Sequence, residues 1–201
     1  DDDVGGGDGC DGWGVEGFNR EEDGGVSLGG EGSVGEWLER GSGSRCRAGR
    51  IEKLDGGAAE TDPDGECARY GALLADGGID LALIGIGENG HLAFNDPHVA
   101  DFDDPFIVKP VQIDDTSRHQ QVRDGAFVSF DEVPRIAMTV TMSAILASRA
   151  ISVVVPGPQK AEAVARTLDG PIEIACPASA LRLHPDAVLF LDDAAMSLAH
   201  R

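Results

Sequence analysis

Apolar and polar residues alternate in a regular way along the chain after residue 50. Short, mostly apolar runs predict strands buried in a sheet, and apolar residues at helical spacing between caps such as Asp62 and Gly170 predict helices. The predicted strands are residues 50–54, 79–86, 106–113, 137–140, 151–155 and 187–191. The predicted helices are residues 62–75, a segment beginning at 115, residues 158–170 and a segment beginning at 192.

This alternation of strands and helices indicates an α/β fold. Residues 79–86 are almost continuously apolar, as expected for a strand that is buried on both faces of a parallel sheet. We predict a Rossmann-like, three-layer, doubly wound and mostly parallel sheet over residues 49–201. Ligands bind beyond the carboxyl ends of the strands in such sheets, so the loop after residue 86 is the first place to expect a site.

Residues 1–48 do not share this pattern. Sixteen of the 28 glycines lie in residues 1–50, and residues 1–48 hold 12 acidic and 4 basic residues among few apolar ones. Burial cannot offset the backbone entropy of such a segment, so we expect a disordered acidic tail. The alternative is a mistranslated frame of a GC-rich gene, which sequencing the locus and recovering the peptide by mass spectrometry would test.

The net charge of −20 argues against nucleic acid and against anionic membranes as partners. No apolar run is long enough to span a bilayer, and the chain starts without a signal-peptide pattern. The four cysteines form no CxxC pair, and no His/Cys/Asp cluster has metal-ligand spacing. We therefore expect a reduced, cytoplasmic protein without a metal site.

The loop over residues 85–97 combines glycines with side chains that can carry chemistry. Glycines such as Gly87 and Gly90 permit tight turns and let a ligand approach the backbone closely. His91 can exchange protons near neutral pH. Three flanking polar side chains can orient or polarise its ring, namely Glu88, Asn89 and Asp96.

Taken alone, this loop leaves other interpretations open. A glycine-rich turn often holds a histidine that is only structural. The spacing of Gly85, Gly87 and Gly90 also fits a dinucleotide-binding turn. Residues 94–97 end in Asp-Pro and break the helix that such a turn should start, which argues against a nicotinamide cofactor.

The string GIGENGHLAFNDP at residues 85–97 resembles the GxGxDGHxAFNEP motif of the glucosamine-6-phosphate deaminase family. Residues 133–140, 156–161 and 177–185 are similar to further segments of that family, so the resemblance covers about residues 49–198. The related 6-phosphogluconolactonases share the GxGxDGH core but usually continue differently, which favours the deaminases.

The resemblance implies an enzyme that converts glucosamine 6-phosphate and water to fructose 6-phosphate and ammonia. His91 matches the acid/base that opens the sugar ring, and Asp96 matches a glutamate of the family's relay. Asn89 stands where an aspartate is usual, and an amide can orient the imidazole without stabilising its charged form as a carboxylate does. Glu88, one residue earlier, is a candidate to compensate.

The resemblance also implies how a phosphate is bound. Lys160 matches the family's phosphate-binding lysine, and a helix start there adds backbone donors for an anion. Arg123 lies near the position of a family arginine that contacts phosphate, with Arg118 as its rival. Either arginine could instead belong to a solvated helix face. A small-molecule sugar phosphate is then the partner, neither metal nor organic cofactor is implied, and a homo-oligomer is left open.

The first half of the family pattern is absent from residues 1–48. That half carries a strand, a glycine-rich phosphate loop and an Asp-Glu-Tyr motif, whose first aspartate moves the proton between C2 and C1 in the family. The only tyrosine here is Tyr70. We therefore expect a sheet that is incomplete at the N-terminus, with an exposed edge and apolar surface. We also expect little or no turnover, because losing a general base costs about 10²–10⁴-fold.

Overall fold

The computed structural model describes residues 54–200. Helices α1 to α5 span Gly56–Thr61, Pro63–Ala75, Asp115–Arg123, Met142–Leu146 and Ala161–Asp169. Strands β1 to β5 span Leu81–Ile84, Val108–Gln112, Ile136–Val140, Ala150–Val155 and Ala187–Leu191. Three short 3-10 helices lie at Phe130–Glu132, Pro158–Lys160 and Pro177–Leu183.

The strands form two sheets. Strands β1, β4 and β5 form a parallel sheet in the order β1-β4-β5, and β2 pairs with β3 in a separate antiparallel ribbon. The parallel sheet with its helices confirms the predicted α/β class. The predicted parallel pairing is correct for three of the five described strands. Strands β2 and β3 pair antiparallel with each other instead.

One face of the parallel sheet carries the core. Ile151, Val153 and Val155 of β4 are almost completely buried and pack with side chains of α4, α5 and the last 3-10 helix. Side chains alternate between the faces of a strand, so the intervening residues point to the other face. The buried face fixes the register and holds the carboxyl ends of β1 and β4 side by side.

The other face of the sheet is exposed and apolar. Its side chains with substantial exposure, between 37% and 60%, are Leu81, Leu83, Val154, Val188 and Phe190. The prediction that residues 79–86 are buried on both faces is therefore wrong for one face. Among the described residues β1 pairs only with β4, so the expected exposed edge and apolar surface are both present.

Helix boundaries follow from capping. Asp62 accepts a hydrogen bond from the backbone of Gly65 and begins α2, with Pro63 in the first turn, as predicted. Asp114 accepts from the backbone of Ser117 and caps α3, whose start at residue 115 agrees with the prediction. Helix α5 ends at Gly170, after a 3-10 turn that starts at Pro158. None of the helices within residues 54–200 is long and apolar enough to cross a membrane.

Two local predictions differ from the structure or lie outside it. The segment from 192 is a series of turns instead of a helix. The Asp192 side chain accepts hydrogen bonds from the backbone N–H groups of Gly157 and Ala195, and so connects this segment to the loop after β4. The strand predicted at 50–54 falls on residues outside those described, apart from Leu54, which is not in a strand. The boundary predicted at residue 48 also lies outside the described part.

Candidate active site

A cavity opens where the loops after β1 and β4 meet. The residues that line it are Gly85, Ile86, Gly87, His91, Ala93, Gln120, Val154, Val155, Pro156 and Lys160. Both loops follow the carboxyl ends of parallel strands, which is where such sheets bind ligands. The structure therefore brings the predicted histidine and the predicted lysine into one cavity, although 69 positions separate them in the sequence.

The loop after β1 is shaped by two glycines. A Cβ on Gly87 would overlap the imidazole ring of His91, so only glycine leaves space for the ring. Gly90 has a φ of 88°, and a Cβ there would lie 2.7 Å from the sulfur of Cys176. The sequence predicts that both glycines contact the substrate. Gly87 lines the cavity, whereas Gly90 does not and lies in the turn directly before His91.

His91 is buried, and its Nδ1 faces three oxygen atoms. Asn89 Oδ1 lies 2.8 Å from Nδ1, Ser117 Oγ lies 2.9 Å away, and Asp96 Oδ1 lies 3.2 Å away. The ring is therefore anchored through one nitrogen. A carboxylate beside it can stabilise the imidazolium that forms when the ring accepts a proton.

Asn89 lies between the histidine and two carboxylates. Its Nδ2 donates to Asp96 Oδ1 and to Asp114 Oδ2, each at 2.9 Å. Its Oδ1 accepts from the backbone N–H of His91 at 3.0 Å. The Asn89 amide oxygen therefore contacts both the ring and the backbone of His91, while the negative charge beside the ring is that of Asp96.

Asp96 is completely buried and receives several donors. Burial acts to raise the pKa of Asp96, but hydrogen bonds hold that pKa well below the usual range of an aspartate. The donors are His91, Asn89, Ser117 and the backbone N–H of Asp114. Asp96 is therefore ionised at neutral pH, and it lies next to the His91 ring, whose positive charge it can stabilise.

Lys160 enters the cavity from the other loop. It is 9% exposed and sits in the 3-10 turn directly before α5. The pKa of Lys160 is lowered from its usual value, chiefly because the ammonium group is buried. The carboxylates of Asp124 and Glu88 act to raise this pKa, and the Arg123 guanidinium acts to lower it. A buried lysine at a helix start is suited to binding an anion.

The two candidate arginines differ in their surroundings. Arg123 is exposed and forms an ion pair with Glu88, and this hydrogen bond raises the pKa of Arg123. Glu88, predicted to assist the histidine, pairs with this arginine instead. Arg118 is 3% exposed, donates to two backbone carbonyls between 130 and 133, and stacks on Phe130. Arg123 is thus the better placed of the two for a ligand.

In the part of the chain that the structure describes, one group of side chains has the spacing of metal ligands. Ligand atoms of Asp96, His98 and Asp114 lie within 4.8 Å of one another. All four carboxylate oxygens already accept hydrogen bonds from protein donors. These bonds account for the cluster without an ion.

Sequence patterns missed several polar residues of this network. Ser117, Asp114 and Gln120 belong to α3 or its cap and carry no motif. Gln120 Oε1 accepts from the backbone N–H of Glu88 at 3.1 Å and lines the cavity. The Asn95 amide donates to Leu92 O and Val140 O, and ties the loop to β3. The sequence predicted only that a helix begins near residue 115, with no sign of what the start of that helix contacts.

Two further histidines, His184 and His119, lie outside the residues that line the cavity. The ring of His184 accepts from the backbone N–H of Asp186 and lies 2.8 Å from Ser148 O, so both of its nitrogens have protein partners. His119 is exposed and stacks on Phe130.

Comparison with known proteins identifies the family. The profile of the glucosamine-6-phosphate isomerases/6-phosphogluconolactonase family matches residues 37–190. The chain belongs to this family. The glucosamine-6-phosphate deaminase of Listeria monocytogenes is 38% identical over 138 residues, which are 69% of this chain and 57% of the relative. That of Bacillus velezensis is 39% identical and covers 67% of this chain and 54% of the relative.

Solved structures of the same family agree. A monomeric glucosamine-6-phosphate deaminase superposes with a TM-score of 0.63 at 39% identity, over 67% of this chain and 54% of that one. The 6-phosphogluconolactonase of Thermotoga maritima superposes with a TM-score of 0.51 at 20% identity, over 72% of this chain and 56% of that one, and shares the fold alone. The chain thus spans little more than half the length of these family members.

Proposed function

We propose that this chain carries the ring-opening half-site of a glucosamine-6-phosphate deaminase. The reaction converts glucosamine 6-phosphate and water to fructose 6-phosphate and ammonia. The observation that carries the proposal is the anchored imidazole of His91 in the same cavity as the buried Lys160. The deaminases at 38% and 39% identity favour this activity within the family.

In this proposal His91 acts as the acid/base that opens the sugar ring. Its second nitrogen, Nε2, has no protein partner among the described residues and is free to exchange a proton with the ring oxygen or the anomeric hydroxyl. Asp96 stabilises the charged ring, and Asn89 holds its orientation.

The phosphate of the substrate is proposed to bind Lys160 and Arg123. Lys160 contributes a buried charge at the start of α5, and Arg123 lies on α3 beside Glu88. Since Glu88 occupies the Arg123 guanidinium, a phosphate has to compete with this carboxylate for the arginine. Charged hydrogen bonds of this kind contribute about 1.5–3 kcal/mol each.

The chain can also hold a sugar phosphate without converting it. The Asp-Glu-Tyr motif expected for the proton shift between C2 and C1 does not occur in the sequence. For a polypeptide of these 201 residues we therefore expect ammonia release about 10²–10⁴-fold slower than that of the Listeria monocytogenes relative. A sugar-phosphate-binding module without turnover is the second candidate, favoured by this missing motif.

Ammonia release from glucosamine 6-phosphate tests the proposal. Slow release by the full chain that disappears in His91→Ala and persists in the exposed control His119→Ala supports the deaminase. Binding of the sugar phosphate with no ammonia supports the binding module. Hydrolysis of 6-phosphogluconolactone without release of ammonia would instead indicate a lactonase. The likeness to solved lactonases supports that alternative only through the shared fold.

We further infer that the chain works in the cytoplasm. The cysteines in the described part, Cys67 and Cys176, are both free and buried, which suits a reducing compartment.

A further inference from the structure

We propose that Asp114 is a positioning residue for His91, acting through Asn89 so that the neutral imidazole carries its proton on Nδ1 and keeps Nε2 as the free base. Asp114 makes no hydrogen bond to the ring and does not line the cavity. The inference deepens the proposed function and rests on it for the reaction that this base serves.

The first step concerns the orientation of the Asn89 amide. Its nitrogen has two hydrogens, and these reach Asp96 Oδ1 and Asp114 Oδ2. An ionised carboxylate only accepts hydrogen bonds, so the nitrogen has to face both acids. The amide oxygen is then the atom that faces the ring and the backbone N–H of His91.

The second step concerns the proton on the ring. Asn89 Oδ1 and Asp96 Oδ1 can only accept, so neither can donate to Nδ1. Ser117 donates its hydroxyl hydrogen to Asp96 Oδ1 and therefore presents a lone pair to Nδ1 as well. Every hydrogen-bonding neighbour of Nδ1 within residues 54–200 is an acceptor, which places the hydrogen on Nδ1 and leaves Nε2 with a lone pair.

The third step concerns the rigidity of Asp114. Its Oδ1 accepts from the backbone N–H of Ser117 at 2.8 Å and caps α3. Its own backbone N–H donates to Asp96 Oδ2 at 2.9 Å. With its backbone and one oxygen fixed, Asp114 has to present Oδ2 to the Asn89 amide.

Asn89 and Asp114 therefore form a matched pair. An aspartate at position 89, which the family motif usually has, would bring a third carboxylate against Asp96 and Asp114 with no hydrogen between them. An asparagine supplies two hydrogens there. Where the family motif has a carboxylate at position 89, this chain has an amide. The nearest carboxylate beyond that amide is Asp114, which is connected to the His91 ring through Asn89.

The test is the ring tautomer of His91, measured without substrate. The full chain is labelled with ¹⁵N-histidine, and long-range ¹H–¹⁵N correlation spectra are recorded at increasing pH until the ring nitrogen shifts are those of a neutral imidazole. His91→Gln identifies the signals of His91. We expect a protonated Nδ1 and an unprotonated Nε2. A wild-type ring with its proton on Nε2 would overturn the proposal.

Asp114→Asn is the decisive variant, because asparagine keeps the helix cap and removes the acceptor. Its amide nitrogen would meet the Asn89 nitrogen, so only Asp96 would still favour the original orientation of the Asn89 amide, and the amide should populate both orientations. We expect the proton of His91 to spread over both ring nitrogens. Asp115→Asn removes an equal charge from the same helix end and should leave the tautomer unchanged.

A second variant covers the case in which Asp114→Asn does not fold. Asp114→Ser also caps a helix but lacks an oxygen that reaches Asn89, so it should produce the same redistribution. A single Nδ1–H form retained in either folded variant would contradict the positioning role. Ammonia release is measured separately, so failure of the deaminase proposal leaves the tautomer result interpretable.

Discussion

His91 depends on the absence of a side chain at Gly87. The imidazole lies over the Gly87 Cα, where even one methyl group would overlap it. Gly85, two residues earlier, has space for a Cβ, whose nearest atom would be Val154 O at 3.4 Å. The His91 ring therefore requires glycine at position 87, whereas the space around position 85 does not require it.

Gly87→Ala should displace the histidine ring and destabilise the fold, whereas Gly85→Ala should not. Forcing a methyl group into a packed site costs about 1–3 kcal/mol. Urea unfolding of both variants measures the difference. Equal stability of the two variants would show that the ring can move aside without cost.

Sequence motifs predicted the residues that belong to the loop itself. His91, Asp96 and Lys160 were predicted from local strings, and all three lie in or behind one cavity. Ser117 and Asp114 were not, because they come from a helix more than 20 positions later and have no pattern of their own. Glu88 was placed beside the histidine by proximity in sequence, although its side chain turns to Arg123.

At the scale of elements, helix α2 is tied to the chain before α1 by one buried acid. Glu66 accepts from the backbone N–H of Asp55 at 2.7 Å and from two nitrogens of Arg69 at 2.7 Å. The hydrogen bonds from Arg69, followed by that from Asp55, lower the pKa of Glu66 from 4.5 to about 2. The ionised carboxylate therefore stabilises the folded state.

Glu66→Gln should lower the melting temperature at neutral pH, with a loss that disappears in acid. A depressed folded-state pKa gives stability that is complete above 4.5 and is lost as the pH falls to about 2. Melting curves between these limits measure it, with Asp64→Asn in the same helical turn as the control. If the difference in melting temperature between Glu66→Gln and the unchanged protein stays constant down to about pH 2, the loss of stability comes from packing and not from charge.

Element boundaries were predictable where a cap or a breaker fixes them locally. Asp62 and Gly170 each mark the end of a helix, and the apolar run at Ala187–Leu191 is the strand observed. Burial was less predictable, since the apolar pattern of residues 79–86 cannot show which neighbours cover each face. Antiparallel pairing of β2 with β3 was also missed, because pairing direction is a tertiary property.

At the scale of the whole molecule, the exposed apolar face of the sheet is the main liability. Leu83 and Phe190, 60% and 46% exposed, are the largest contributors by exposure and size. Contiguous apolar surface of this kind promotes association. The net charge of −20 opposes it by keeping molecules apart.

Replacing Leu83 and Phe190 together by serine should reduce binding of a hydrophobic dye and raise solubility. We expect the effect to be larger than that of Leu198→Ser, which removes an exposed apolar side chain outside the sheet. Dye fluorescence and sedimentation of the full chain measure both effects. Unchanged dye binding would show that this face is not accessible in solution.

Calorimetric titration of the full chain with glucosamine 6-phosphate tests the central claim most directly, because that claim joins His91 and Lys160 in one sugar-phosphate site. We predict binding that weakens about 10–100-fold in Lys160→Met, equivalent to about 1.5–3 kcal/mol. Arg149→Met, which removes one exposed positive charge, should bind as the wild type does. Absence of binding, or equal affinity for the wild type and Lys160→Met, would contradict the account.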